Sequence, residues 1–168
     1  MSKLYLLVIF IALSLLISCD GGIHPIEEDT STKPLVSGKV TFIGEWPSDI
    51  KLTYIILFKD PLINASVFNA FNLKYVSQLI PVGTNEFNFS SDEALFGEIL
   101  PGEYSYFVVA QSTSETLQLT RSSWRVAGIY KDENGLPEGN ISVPSNSTLN
   151  DINIVCDFNN PPQQPPGE

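Results

Sequence analysis

Residues 104–110 read Tyr104-Ser105-Tyr106-Phe107-Val108-Val109-Ala110. Aromatic and β-branched residues crowd this run, and such side chains fit the pleated surface of a sheet better than a helix. The same habit recurs on both sides of it. Val36, Gly38, Val40 and Phe42 alternate with Ser37, Lys39, Thr41 and Ile43, and Leu52, Tyr54, Ile56 and Phe58 alternate with Thr53, Ile55 and Leu57. Phe87 and Phe89 flank Asn88, while Trp124, Val126, Gly128 and Tyr130 read as one strand face. Ile152, Ile154, Cys156 and Phe158 close the series at period two. Turn residues separate these runs: Trp46-Pro47-Ser48-Asp49, Lys59-Asp60-Pro61, Leu100-Pro101-Gly102 and Asp132-Glu133-Asn134-Gly135. Short strands punctuated in this way predict an all-β antiparallel sandwich of about seven strands over residues 36–158. Its core should hold Val40, Phe42, Tyr54, Ile56, Val108, Val126, Ile154 and Cys156. Residues 62–80 fit neither helical nor strand period, because Val67, Phe68, Phe71, Leu73 and Val76 are spaced irregularly.

Outside the strands the composition changes. Residues 20–35 are small, polar and acidic with two prolines, and cannot bury enough apolar surface to fold. With Cys19 they read as a flexible tether, 19–35, reaching roughly 50 Å when extended at about 3.3 Å per residue. The last stretch, 159–168, is proline-rich and is expected to be an extended, disordered tail.

The N-terminus carries the most specific signal. Lys3 precedes an unbroken apolar run from Leu4 to Leu13, followed by Ser14-Leu15-Leu16-Ile17-Ser18-Cys19. A charged start, a short apolar stretch and a small residue before the cut define a secretory signal. The run is shorter than the ~20 residues a bilayer span needs. Leu16-Ile17-Ser18-Cys19 resembles the bacterial lipobox. That resemblance implies cleavage between Ser18 and Cys19, removal of 1–18, and a lipid (diacylglycerol, with palmitate-type chains) on the Cys19 thiol. The implied partner is the membrane, through that lipid. The expected location is the bacterial cell envelope, with the outer membrane favoured over the inner, although Asp20 resembles an inner-membrane retention residue of enteric bacteria.

Several internal segments resemble the transthyretin-like sandwiches related to the carboxypeptidase regulatory domain. Ser37-Gly38-Lys39-Val40-Thr41-Phe42 is similar to their opening strand, and Glu98-Ile99-Leu100-Pro101-Gly102-Glu103-Tyr104 to their Pro-Gly turn before a tyrosine strand. Val126 to Tyr130, followed by Ile152 to Phe158, resembles the closing strands of lipid-anchored members. The resemblance implies a non-catalytic module and supplies no catalytic residues.

The search for chemistry agrees with that implication. The formal charge is −10, and losing Lys3 with the signal takes it to −11. This opposes nucleic-acid binding, which needs clustered Lys and Arg. The single histidine, His24, lies in the tether, where it lacks the rigid scaffold a catalytic imidazole needs. Cys156 is left without an intramolecular partner once Cys19 is acylated, and its place in a strand suggests a buried, inert thiol. No zinc site and no cofactor are expected from one His and one free Cys. Asp92-Glu93 and Asp132-Glu133 are candidate carboxylates for glycosidic chemistry, and Asp132-Glu133-Asn134-Gly135 for calcium, but both sit in turn-like segments where solvated loop charges and a plain turn are the expected reading. Four Asn-x-Ser/Thr triplets, at Asn64, Asn88, Asn140 and Asn146, read as chance in a bacterial chain. The expected function is therefore a non-enzymatic, lipid-anchored structural or protein-interaction module. The alternative is a carbohydrate-binding lipoprotein that stacks sugars on exposed Trp46, Trp124 or Tyr130.

Overall fold

The computed structural model describes residues 34–132 and 136–166. Ten strands form: β1 Val36–Ile43, β2 Leu52–Phe58, β3 Leu73–Ser77, β4 Glu86–Ser90, β5 Ala94–Gly97, β6 Gly102–Tyr104, β7 Tyr106–Ser112, β8 Arg125–Ile129, β9 Ile141–Val143 and β10 Leu149–Asp157. Single 3-10 turns at Ala65–Val67, Ser91–Glu93 and Arg121–Ser123 are the only helical pieces among the described residues. No helix among the described residues is long and apolar enough to cross a membrane.

The strands assemble into two main sheets, β10-β1-β4 and β5-β3-β2-β7-β8, with β6-β9 as a short ribbon. This is the all-β sandwich the period-two runs imply. The strand number exceeds seven because β5, β6 and β9 are too short to leave a sequence signature, and because β3 lies inside the ambiguous stretch 62–80.

One pairing departs from the antiparallel expectation. β1 and β10 run parallel, from Val36 opposite Leu149 to Ile43 opposite Asp157. Parallel neighbours need a long crossover, and here the whole domain between the first and last strands supplies it. The other ladders are antiparallel.

Two apolar layers result. Between the sheets, Val40, Phe42, Phe89, Ile152, Ile154 and Cys156 pack against Ile55, Leu57, Tyr75, Phe107, Val109 and Ala127. On the far face of the larger sheet, Tyr54, Ile56, Phe58, Val76, Val108, Ala110, Trp124 and Val126 form a second cluster. Because β2 and β7 bury both faces, their sequences read as nearly continuous apolar runs. All eight expected core residues are buried, divided between the two layers.

Among the described residues, loops rather than a further sheet cover the second cluster. Leu62, Val67 and Phe68, from the segment before β3, lie against it. Asn72 holds that segment in place. Its Oδ1 accepts the Asp60 N–H at 2.7 Å, and its Nδ2 donates to Asp60 O at 3.0 Å and Val67 O at 2.9 Å. At the ribbon end, the Tyr104 hydroxyl accepts the Leu100 N–H at 3.1 Å and donates to Leu100 O at 2.7 Å. That reciprocal pair clamps the Pro101-Gly102 turn, a physical reason for a tyrosine two residues after it.

Candidate interaction surface

Ser18, Cys19 and His24 lie outside the described residues. Of the three rings considered for sugar stacking, two are core residues: Trp124 is 7 % and Tyr130 8 % exposed. They also face different layers. Ala110 pairs with Val126 but Val109 with Gly128, so β8 carries an extra residue at Ala127. A bulge of this kind reverses which side chains face which way. Trp124 and Val126 consequently join the outer cluster, whereas Ala127 and Tyr130 join the inter-sheet core. The reading of Trp124, Val126, Gly128 and Tyr130 as one face is corrected accordingly.

Trp46 is half-buried and closes the sandwich end. Its ring lies 4.6 Å from Phe42 and 5.2 Å from Phe158, and its Nε1–H donates to Thr84 O at 2.9 Å. Large aromatic surfaces stabilise most when packed, and these three rings are spent on packing rather than gathered into a platform.

The carboxylates are similarly dispersed. Glu93 accepts from Gln78 Nε2 at the exposed Ser91–Glu93 turn. Asp132 accepts from the Leu136 N–H at 3.3 Å and the Tyr130 hydroxyl at 3.4 Å, and Glu133 lies outside the described residues. Among the described residues, no three His, Cys, Asp or Glu side chains gather in a way that would hold a metal. Burial pushes the Cys156 thiol up to about 12, which keeps it protonated and unreactive at neutral pH.

The two sides of the sandwich differ. On one side, β8 and β10 approach so closely that a Cβ on Gly128 would meet Val155 O at 2.7 Å. Residues 159–166 reinforce that side. After a turn at 159–160 they carry no regular secondary structure, but they are fastened rather than free. The Gln164 Oε1 accepts the Val126 N–H at 2.7 Å, and its Nε2 donates to Val126 O at 2.9 Å. A side-chain amide thus stands in for a neighbouring strand on the edge of β8. Arg121 Nη2 donates to Pro165 O at 2.8 Å, and Pro165 itself is buried. The expected disordered tail is corrected for these residues, since composition alone does not reveal a carboxamide that can pair with a strand edge.

On the opposite side β4 and β5, joined by the Ser91–Glu93 turn, form the outer strands of the two sheets. The β3–β5 ladder skips Leu95, because Ser77 faces Ala94 and Val76 faces Phe96. Leu95 and Phe96 project from this bulged edge, 57 % and 53 % exposed. Pro34 and Leu35, the first described residues, line the same surface hollow as Ala94 and Gly97. The consecutive apolar pair Leu95-Phe96, set between Asp92-Glu93 and Gly97-Glu98, was the available sequence signal for this edge. Gln164 and Arg121 offered none.

No protein-family model, curated protein or solved structure matches the chain.

Proposed function

We propose that the chain is a bacterial envelope lipoprotein, acylated on Cys19 after cleavage behind Ser18, whose sandwich is a non-catalytic protein-docking module of transthyretin-like type. Anchoring rests on Leu16-Ile17-Ser18-Cys19. The observation that carries the docking half is the asymmetry of the edges. The β8 side is sealed by the chain's own Gln164, whereas β5 presents Leu95 and Phe96 to solvent beside the root of the tether.

The mechanism is physical. Two or three acyl chains give lasting attachment where one does not. The tether sets the reach, with the outer membrane as the proposed site. An edge strand offers unpaired backbone groups to an extended segment of a partner, and flanking apolar side chains add specificity. A formal charge near −11 keeps the module soluble and away from anionic surfaces.

Fatty-acid labelling in a bacterial host, combined with photo-crosslinking, tests both halves. Wild-type chain should take up an alkyne-palmitate label that Cys19→Ser abolishes. A photo-reactive residue at Phe96 should give one discrete adduct, and one at exposed Leu117 none. An unlabelled wild type would overturn the anchor. Equal adducts at both positions would overturn the docking edge.

A further inference from the structure

Phe71 is 90 % exposed and Ile63 67 %, more than any other large apolar side chain among the described residues. Both stand in the loop between β2 and β3. Phe58, the last residue of β2, pairs with Leu73 at the start of β3 and with Tyr106 at the start of β7. One end of the larger sheet therefore carries this loop. Exposed Leu100 belongs to the same end, because the Glu98 N–H donates to Lys74 O at 3.2 Å and the Ser105 N–H to Lys59 O at 3.1 Å. So do the first described residues, since Pro34 and Leu35 line a hollow with Gly97, Glu98 and Ile99. Val82 lies at the other end, near the start of β2, where the Ile80 N–H donates to Thr53 O at 2.9 Å.

Single exposed apolar residues are ordinary on a protein surface. The support behind Phe71 is not. Asn69 Oδ1 accepts the N–H of Phe71 at 2.9 Å and that of Asn72 at 3.0 Å. Lys74 Nζ donates to Phe71 O at 2.7 Å, and the Asn72 carbonyl accepts the Lys59 N–H at 2.9 Å. Both backbone groups of Phe71 thus have partners within the protein, while its ring is left outside. Water would satisfy both groups at an exposed tip, so the pairing gains little there. Where a tip enters lipid the pairing is required, because hydrocarbon offers no partner. The Lys74 ammonium lies directly behind the tip, where a long stem can follow apolar surface and keep its charge at phosphate depth.

We propose that this end of the domain docks on the phospholipid bilayer that holds the anchor, with Phe71 inserted and Ile63 and Leu100 at the interface. This rests on the reading of Cys19 as acylated and adds the orientation of the domain. The length of the preceding chain favours this occupant. Residues 19–33 span at most roughly 50 Å at about 3.3 Å per residue, so the lipid keeps the domain within that distance of the bilayer. Held at such an effective concentration, a weak apolar contact suffices where a free domain would not bind. Asp60, Glu98 and Glu103 outnumber Lys59 and Lys74 in and beside these loops, so attraction to anionic lipid does not drive the contact. A zwitterionic surface suits it.

The experiment places the acylated, ¹⁵N-labelled full chain in phosphatidylcholine nanodiscs, with and without a phosphatidylcholine that carries a nitroxide on its acyl chain. Wild type, Phe71→Ser and Phe71→Trp are compared. In the wild type the nitroxide should erase the amide signal of residue 71, while that of Val82 persists. Phe71→Ser should restore the signal at 71 to the level at Val82. Phe71→Trp should keep it erased, since an indole suits the membrane interface. A chain without the palmitate label overturns the anchor and this pose together. A labelled chain with equal signals at 71 and 82, or with broadening that Phe71→Ser leaves intact, overturns the pose alone. A signal at 71 that persists in lipid, alongside a discrete protein adduct from a photo-reactive residue at 71, overturns the bilayer as occupant and assigns the tip to a protein.

Discussion

A Cβ built on Gly128 would lie 2.7 Å from the Cys156 Sγ, so the β8 and β10 edges meet where one residue has no side chain and the other has a small one. A thiol can swing aside, but the same Cβ would also meet the backbone carbonyl of Val155 at 2.7 Å. Backbone there is fixed by the parallel ladder of Val155 and Cys156 with Thr41 and Phe42. Gly128→Ala should therefore destabilise the domain by about 2–3 kcal/mol, as overpacking of a tight core does. A fall in the urea midpoint at unchanged m-value checks it. An unchanged midpoint would mean that the two edges are looser than this contact requires.

The same burial makes alkaline pH a probe of the core. Cys156 and Tyr106 are each held up at about 12, chiefly by desolvation, and Tyr75 is raised further still. In the unfolded chain the thiol would ionise near 9. A group whose pKa is higher in the folded state keeps its proton while the unfolded chain loses it. Stability is therefore full below about pH 9 and falls as pH climbs towards 12, by about 1.4 kcal/mol per pH unit for the fully buried Cys156, with half-buried Tyr106 adding less, and only above its unfolded value of 10. Urea melts at pH 7, 9 and 10.5 should show the decline begin above 9. Cys156→Ala should make it shallower.

Period-two runs exposed β1, β2, β4, β7, β8 and β10 because each is five residues or longer with one face consistently apolar. The eight core residues followed from the same alternation. β3 was hidden since it is preceded by a loop whose order comes from the Asn64, Asn69 and Asn72 side chains rather than from periodicity. The β8 bulge is equally invisible: an extra residue at Ala127 leaves the pattern looking regular while turning Trp124 and Tyr130 to opposite layers. The parallel meeting of β1 with β10, and the pairing of Gln164 with Val126, join residues distant in the chain. Local pattern carries no record of such partners. Hence the strands could be read, and Leu95-Phe96 marked the open edge, while the fastening of Gln164 and Pro165 onto β8 and Arg121 could not.

Asn72 offers a test of what covers the second cluster. Its amide satisfies the Asp60 backbone at both ends and the Val67 carbonyl besides, from a buried position. Asn72→Ala should cost about 2 kcal/mol by leaving those groups unpaired. Asn72→Asp should cost more, because a carboxylate oxygen would face the Asp60 and Val67 carbonyls where an amino group now donates. Limited proteolysis should then cut within residues 61–72 faster in Asp than in Ala, and in Ala than in wild type. The reverse order would show that the loop is held by Leu62 and Phe68 packing instead.

Phe96 separates docking from stability. It pairs with buried Val76 in the β3–β5 ladder yet remains 53 % exposed, so little apolar area returns to water on replacement. Phe96→Asp should leave the free energy of unfolding within ~0.5 kcal/mol of wild type, as for most surface substitutions. On the proposed docking edge the effect should be large. A charge on a strand edge repels an added strand and blunts self-association. Light scattering at high protein concentration should fall, and a photo-reactive residue at neighbouring Leu95 should lose its adduct. A destabilisation above ~2 kcal/mol would instead identify Phe96 as part of the core cover, and the β5 edge would no longer count as free.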